Sequence, residues 1–497
     1  MISRWIVLTG LLVGATACVV DIGGPEKVAR IRIVADISRT DTITAGPSNP
    51  ITIEISDSTG RLRDQVTVNI SGTPAGTPEG DFGMYVRNEN GEPTGSINLV
   101  TDGQASFQVF FGRRAILAPI VISVPDLQLA DTLWFTVKPG APTYVTLRPG
   151  DTAVAIGRTY QQSAIVLDRG GNDLNLSSQL TFSSSDPAIT ISASGQVTGA
   201  AYGRAGIDVH YQQLTETAMV SVVPSGQFAT VITPNGVPEA SVTVLGTDGS
   251  GPKRYLTGVM AGQPVWSPDA TRIYYAGTTT GSPQTQRIYS LTISDGKSSP
   301  LIADSVSALN GAKLTSPAIS RDGAWVYFTI PASYDGHTFT DGEVWRSHPD
   351  GTGLTRLVSG PVSGSPFAAR LSPTPSPDGT RLAYVEKTST ANDIQILNLA
   401  TGNTFTIHGL GPDELRWSPT ADRLATKGQV GLYVVNANGT GATQLAANIS
   451  SFTGLDWSPD GQWIVANLWG LPTIVNPTTN LQLPLDFRGE GQSWISR

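Results

Sequence analysis

The sequence is poor in residues whose type and spacing would build a catalytic centre. Four histidines occur, His210, His337, His348 and His408, and none pairs with another at the short spacing that brings two imidazoles to one metal. No Gly-x-Ser-x-Gly run is present, so a serine hydrolase nucleophile has no elbow to sit on. The run from Asp335 to Asp341 gathers oxygen-bearing side chains suited to calcium, without the ligand spacing of an EF-hand loop. Catalytic carboxylates can lie far apart in a β-rich chain, and none declares itself here. The expectation is a protein that is not an enzyme, with no cofactor and no metal.

One residue does have a chemical context. Cys18 is the single cysteine of the 497 residues, which excludes an intrachain disulfide. Residues 1–17 read as an export signal: Arg4 gives positive charge, Trp5 to Val13 an apolar run, and Ala15-Thr16-Ala17 a small-residue cleavage site. Cys18 directly after that site resembles a bacterial lipobox, and the resemblance implies acylation there. Ala15 stands where such leaders usually carry leucine, and the same three residues also suit ordinary signal peptidase. Residues 18–27 then read as a lipidated tether, with membrane attachment through the lipid alone. Val19 rather than aspartate after the cysteine resembles outer-membrane sorting in Gram-negative lipoproteins, facing periplasm or cell surface.

A formal net charge of -8, with no basic cluster, excludes nucleic acid as a partner, since phosphate binding needs grouped Lys and Arg. Charged residues are only 14 % of the chain, a soluble surface of low charge. The 54 glycines and 34 prolines stay below the ~25–30 % of low-complexity chains. They punctuate short Val/Ile/Thr/Tyr runs, as turns punctuate strands. The expected fold class is all-β.

Residues 28–138 alternate apolar and polar residues in runs such as Ile51 to Ile55 and Val66 to Ile70, the period of half-buried strands. Thr101 to Val109 and Asp131 to Val137 resemble closing strands of bacterial Ig-like domains of adhesins. Residues 142–224 carry Ser184-Ser185-Asp186, Ile189 and Ile191, Gly195 to Gly199 and Gly203-Arg204-Ala205. That order resembles the group 2 bacterial Ig-like domain, a module that implies a spacer or an adhesive unit. Its glycines allow positive φ in tight turns and carry no chemistry.

Residues 226–497 hold a repeat: Val265 to Ala276, Ala318 to Thr329, Thr374 to Val385, Arg416 to Lys427 and Asp456 to Asn467. In phase, the copies fall at 266, 319, 375, 417 and 457, with Trp494-Ile495-Ser496 ending the series. Spacings of roughly 40 to 55 residues suit propeller blades. Each full copy turns on a Ser-Pro-Asp-Gly-like segment, and hairpin turns such as Asp295-Gly296, Asp350-Gly351 and Asn438-Gly439 follow. The pattern resembles the TolB-like, WD40-related PD40 propeller. The final copy has only an innermost strand, whereas Ser241 to Leu245 and Tyr255-Leu256 supply an outer half-blade before the first copy. Joining the two gives six blades, with terminal strands paired to close the ring. Trp266, Trp417, Trp457 and Trp494 are expected to wedge between blades.

The loops leading into the innermost strands converge at a funnel mouth. They contain Met260, Lys313, Arg370, Asp413, Glu414, Phe452, Arg488 and Glu490, the candidate contact surface for an envelope protein or peptide implied by the TolB resemblance. A carbohydrate is the alternative, with Trp325, Trp345, Trp463 and Trp469 as a stacking platform.

Overall fold

The computed structural model describes residues 29–34, 38–57, 59–72, 84–232, 241–279, 285–302, 309, 312–334, 339–360, 368–428, 430–449, 453–487 and 490–496. The export signal, Cys18 and the tether lie outside them. The described residues form strands joined by turns, with two short 3-10 turns at Pro125–Leu127 and Ser177–Gln179. The chain divides into two compact units: 1–148 with 164–181 and 209–216, and 149–163 with 182–208 and 217–497. The division passes through the segment expected to be the second sandwich.

In the first unit, an eight-stranded sheet runs in the order Arg30–Ile33, Ile51–Ser56, Gln104–Phe107, Ser96–Asp102, Asp64–Ser71, Leu117–Val124, Leu129–Lys138, Thr40–Thr42. Strict alternation turns Ile51, Ile53 and Ile55 inward from one side and Ala118, Ile120 and Ile122 from the other. All join one core with Val68, Ile70, Leu133 and Phe135, so the sheet folds over on itself. Met84–Arg87, Pro93–Thr94 and Phe110–Phe111 make a small accessory sheet. Within this unit Asn172 ties two segments together: its side chain accepts Ala115 N–H at 2.9 Å and donates to the Arg113 carbonyl at 2.7 Å. Buried Asp168 accepts from Gly140 N–H at 2.8 Å and from Asn172. Burial would raise its carboxyl pKa, but the bonds from Asn172, Gly140 and Gly170 together hold it below the ordinary value.

The second unit contains six four-stranded antiparallel sheets. Blade 1 is Met260–Trp266, Arg272–Thr278, Gln286–Thr292 and Ser298–Pro300. Blade 2 is Thr315–Ile319, Val326–Ile330, Glu343–Ser347 and Thr355–Val358. Blade 3 is Ala369–Pro375, Arg381–Lys387, Asn392–Asn398 and Thr404–Ile407. Blade 4 is Glu414–Trp417, Arg423–Gly428, Gly431–Asn436 and Thr443–Ala447. Blade 5 is Leu455–Trp457, Ile464–Leu468, Leu471–Val475 and Gln482–Pro484. In blade 6 the C-terminal Glu490–Ile495 is innermost and pairs antiparallel with Gln227–Val231, which continues into Ser241–Gly246 and Lys253–Leu256.

Each hydrophobic cluster of the propeller spans one junction between blades. Trp266 packs with Val231 and Ile495, Trp417 with Val385, Trp457 with Ala425, and Trp494 with Val465. Arg381 and Arg423 lay their guanidinium groups 4.9 Å from the ring centres of Trp417 and Trp457 in the following blades. The repeated turn explains itself as hydrogen bonding. In blade 3, Ser376 Oγ donates to Asp378 at 2.5 Å and accepts Arg381 N–H at 2.9 Å. Asp378 also accepts from the backbone and hydroxyl of Thr380, and these bonds, the Ser376 hydroxyl first, lower its pKa to about 2. The same serine–aspartate bond recurs at Ser267, Ser320 and Ser458.

Ala270 has φ 58° where the equivalent Gly323, Gly379 and Gly461 have φ 72°, 71° and 68°. Ala270→Gly removes left-handed strain and should stabilise the unit by about 0.5–1 kcal/mol, read as a higher urea midpoint. Asp378 favours the folded state above its ordinary pKa of 3.8, a contribution lost as pH falls toward 2. Ser376→Ala should move the Asp378 carboxyl upward in an NMR titration and reduce stability at neutral pH more than at pH 2.

Candidate functional site: the mouth of the propeller channel

The innermost strands of blades 1, 2 and 3 enter the channel through the same device. Gln263, Ser316 and Ser372 each precede a proline and stand three residues before the repeat position. Their φ values are 51°, 52° and 48°, and the ladder register shifts beside each one. A proline cannot donate to the ladder, and a bulge is where a sheet accommodates it. Non-glycine residues in this region cost about 1–2 kcal/mol each. In blades 5 and 6 glycine takes the corresponding role, with Gly454 at φ 139° and Gly491 at φ 64°.

These bulges and neighbouring strand ends line a hollow of about 270 Å³. Gln263, Ser316 and Ser372 line it together with Lys387, Asp413, Glu414, Lys427 and Thr453. Lys387 Nζ lies 3.3 Å from Asp413 Oδ1, both side chains partly exposed. Asp413 also accepts from Asn392 Nδ2 at 3.4 Å. Both Glu414 oxygens accept the Gly454 N–H at 3.1 Å, bridging blades 4 and 5. Gln263 Oε1 accepts the Ser316 N–H at 2.9 Å, bridging blades 1 and 2. The mouth is therefore polar, with both signs of charge present and no excess of either.

Of the expected contact residues, Asp413 and Glu414 come together at this hollow. Met260 opens the innermost strand of blade 1, half-buried opposite Thr278. Lys313 is exposed just before blade 2. Phe452 and Arg488 lie outside the described residues, and Glu490 begins the innermost strand of blade 6 opposite Val231. Arg370 differs from expectation. It is only 3 % exposed and its Nε sits 3.3 Å from Glu386 Oε2. Its other nitrogens donate to the carbonyls of Gly342, at 2.5 Å, and Gly360, at 2.9 Å. It clamps blade 3 to the preceding loops and offers nothing to a ligand.

The signal for the missed mouth residues Gln263, Ser316 and Ser372 was the recurring X-Pro three positions before the repeat. Lys387 and Lys427 carried none, because each lies at the end of the second strand of its blade or one residue before it, where a charge reads as an ordinary strand end.

The four tryptophans considered as a platform do not form one. Trp345 and Trp463 are buried. Trp325 is half-buried, stacked on His348 at 3.9 Å and under Arg346 at 4.1 Å. Trp469 is 60 % exposed at a turn of blade 5, at the strand ends opposite the repeat turns, whereas Trp325 directly follows such a turn. No group of three or more His, Cys, Asp or Glu suited to a metal occurs among the described residues, and most of the Asp335 to Asp341 loop lies outside them.

At the repeat-turn end, Asp456 accepts Trp457 N–H at 2.9 Å and Trp494 N–H at 2.8 Å. Burial in the channel wall pushes its pKa up, against the pull of Arg416 and these bonds. On this face the second unit brings Ig-like residues onto blades 5 and 6. Ala153 and Val223 join the core of Phe228, Leu245, Trp463 and Trp494. Tyr202 meets Trp463 edge-on at 4.9 Å, and Ala155 N–H donates to Asp248 Oδ2 at 3.2 Å.

Residues 141–222 match the model of the bacterial Ig-like domain (group 2). An uncharacterized protein of Agrobacterium fabrum, Atu1656, is 27 % identical over 173 residues, covering 32 % of this chain and 52 % of that protein. The chain thus spans about half the length of this curated relative. Among solved structures, TolB from Acinetobacter baumannii is 16 % identical, with TM-score 0.44, covering 71 % of this chain and 100 % of that one. A putative TolB from Agrobacterium tumefaciens is 14 % identical, with TM-score 0.37, covering 54 % and 92 %.

The burial of Arg370 makes a sharp prediction. Arg370→Ala leaves Glu386 buried without its partner and should cost about 3–5 kcal/mol, whereas the double change Arg370→Met with Glu386→Leu should recover most of that loss in urea unfolding.

Proposed function

We propose that the chain is an exported cell-envelope lipoprotein, acylated at Cys18 and placed at the outer membrane, that performs no chemistry and holds a protein or peptide at the mouth of its propeller channel. The observation that carries this reading is the open polar hollow in which Lys387, Asp413 and Glu414 stand beside Gln263, Ser316 and Ser372. Backbone amides and mixed-charge side chains of a peptide find complementary groups there, and the polar lining suits recognition at a modest contact area. Ala153, Val223 and Tyr202 pack against blades 5 and 6 at the repeat-turn end, away from this mouth. The carbohydrate alternative at the propeller loses support with Trp345 and Trp463 in the core.

The test begins with the detergent-solubilised full chain as bait for cross-linking capture in its own envelope, followed by titration of the captured protein after purification. Asp413→Ala combined with Lys387→Ala should weaken that titrated affinity at least tenfold, while Lys253→Ala on blade 6 leaves it unchanged. Equal affinity for the two variants would remove the mouth from the function.

A further inference from the structure

The first sandwich presents a surface that the propeller reading does not use. Four adjacent strands of its sheet, Ser96–Asp102, Asp64–Ser71, Leu117–Val124 and Leu129–Lys138, send Val68, Ile70, Ile120, Leu133 and Phe135 into the core. Alternation turns the intervening residues to the opposite face. The stretches 67–71, 96–100, 117–121 and 132–136 contain no charged residue at all, in a chain of which 14 % is charged.

The register fixes what this face carries. Ser96 lies opposite Ser71, Ser71 opposite Val121, and Val121 opposite Thr132, one row across four strands. The row on one side places Asn69 opposite Asn98, with their side-chain amides joined at 2.9 Å. The row on the other side places Pro119 opposite Trp134. Trp134 is 51 % exposed, an unusual amount for the largest apolar side chain, on a strand where Leu133 and Phe135 beside it are buried.

We propose that this face is a platform for a neutral polysaccharide. A sugar ring has an apolar C–H face and an edge of hydroxyls. The indole of Trp134, flanked by Pro119, offers a flat apolar area for the first. The amides of Asn69 and Asn98 and the hydroxyls of Ser71, Ser96 and Thr132 offer donors and acceptors for the second. Neighbouring strands lie about 4.8 Å apart and same-face residues about 7 Å apart, so the rows together span the width of several sugar rings. An anionic polymer would find no cation among these rows.

Affinity electrophoresis of the detergent-solubilised full chain tests this in gels containing hydroxyethyl cellulose, galactomannan or dextran, with polygalacturonate as the charged control. The expected result is retarded migration in at least one neutral gel, insensitive to added salt. Trp134→Ala and, separately, Thr132→Arg should each raise the polysaccharide concentration needed for that retardation at least tenfold, with thermal unfolding midpoints close to the parent's. Three results would overturn the proposal: no retardation in any neutral gel, retardation that both variants keep, or retardation confined to polygalacturonate. A fourth would do the same: loss of self-association by Trp134→Ala in sedimentation, which would make the face a contact between copies of this chain.

Discussion

The propeller depends on satisfying the backbone of its innermost strands along the edge that no ladder covers. Such a strand pairs on one side only, and its other N–H groups need partners that a sheet cannot supply. At three of the six junctions the partner is a side chain of the preceding blade. Thr374 Oγ1 accepts Trp417 N–H at 3.0 Å, Asp456 accepts Trp494 N–H at 2.8 Å, and Ser493 Oγ accepts Trp266 N–H at 3.1 Å. Where the position before the repeat residue is Ala318, which has no acceptor, the next blade carries Pro375, which has no donor. Trp457 N–H bonds Asp456 of its own strand instead, so the demand is met between blades at some junctions and within the blade at another.

This constraint also accounts for the closure. The bond from Ser493 reaches Trp266 across the chain's largest sequence separation among these latches, joining the last innermost strand to the first. Pairing of Gln227–Val231 with Glu490–Ile495 leaves blade 6 with four strands, like the other blades. Trp266 is then packed against Val231 and Ile495, so the apolar wedge and the hydrogen bond secure the same junction. The two channel ends are chemically different: tryptophans and the carboxylate of Asp456 at the repeat turns, paired surface charges and hydroxyls at the other.

The repeat, its hairpins, the terminal pairing and the wedge tryptophans were legible because each is a local signal copied several times. Arg370 was not legible as a clamp. Its burial depends on Glu386, sixteen residues later, and on carbonyls of Gly342 and Gly360 that no pattern around Arg370 announces. The bulges at Gln263, Ser316 and Ser372 left a visible trace in the prolines that follow them, but the left-handed backbone required the neighbouring blade to be seen. Trp134 was within reach of alternation alone: with Leu133 and Phe135 inward, the residue between them must face out.

Burial separates the charges near the mouth into two kinds. Arg370 and Glu386 are enclosed, and breaking such a pair costs several kcal/mol because the abandoned charge cannot be rehydrated in place. Lys387 and Asp413 are also 3.3 Å apart but stand open to water, where an ion pair contributes at most about 1 kcal/mol. A ligand that brings its own carboxylate or ammonium can therefore separate Lys387 from Asp413 at little cost and use both, whereas nothing it offers could draw Arg370 out. Glu414 falls between them, because both its oxygens share the Gly454 N–H and so tie it to the junction of blades 4 and 5. Its remaining lone pairs can accept from a ligand only while the carboxylate stays where it is, which makes it a fixed acceptor beside a pair of exchangeable charges.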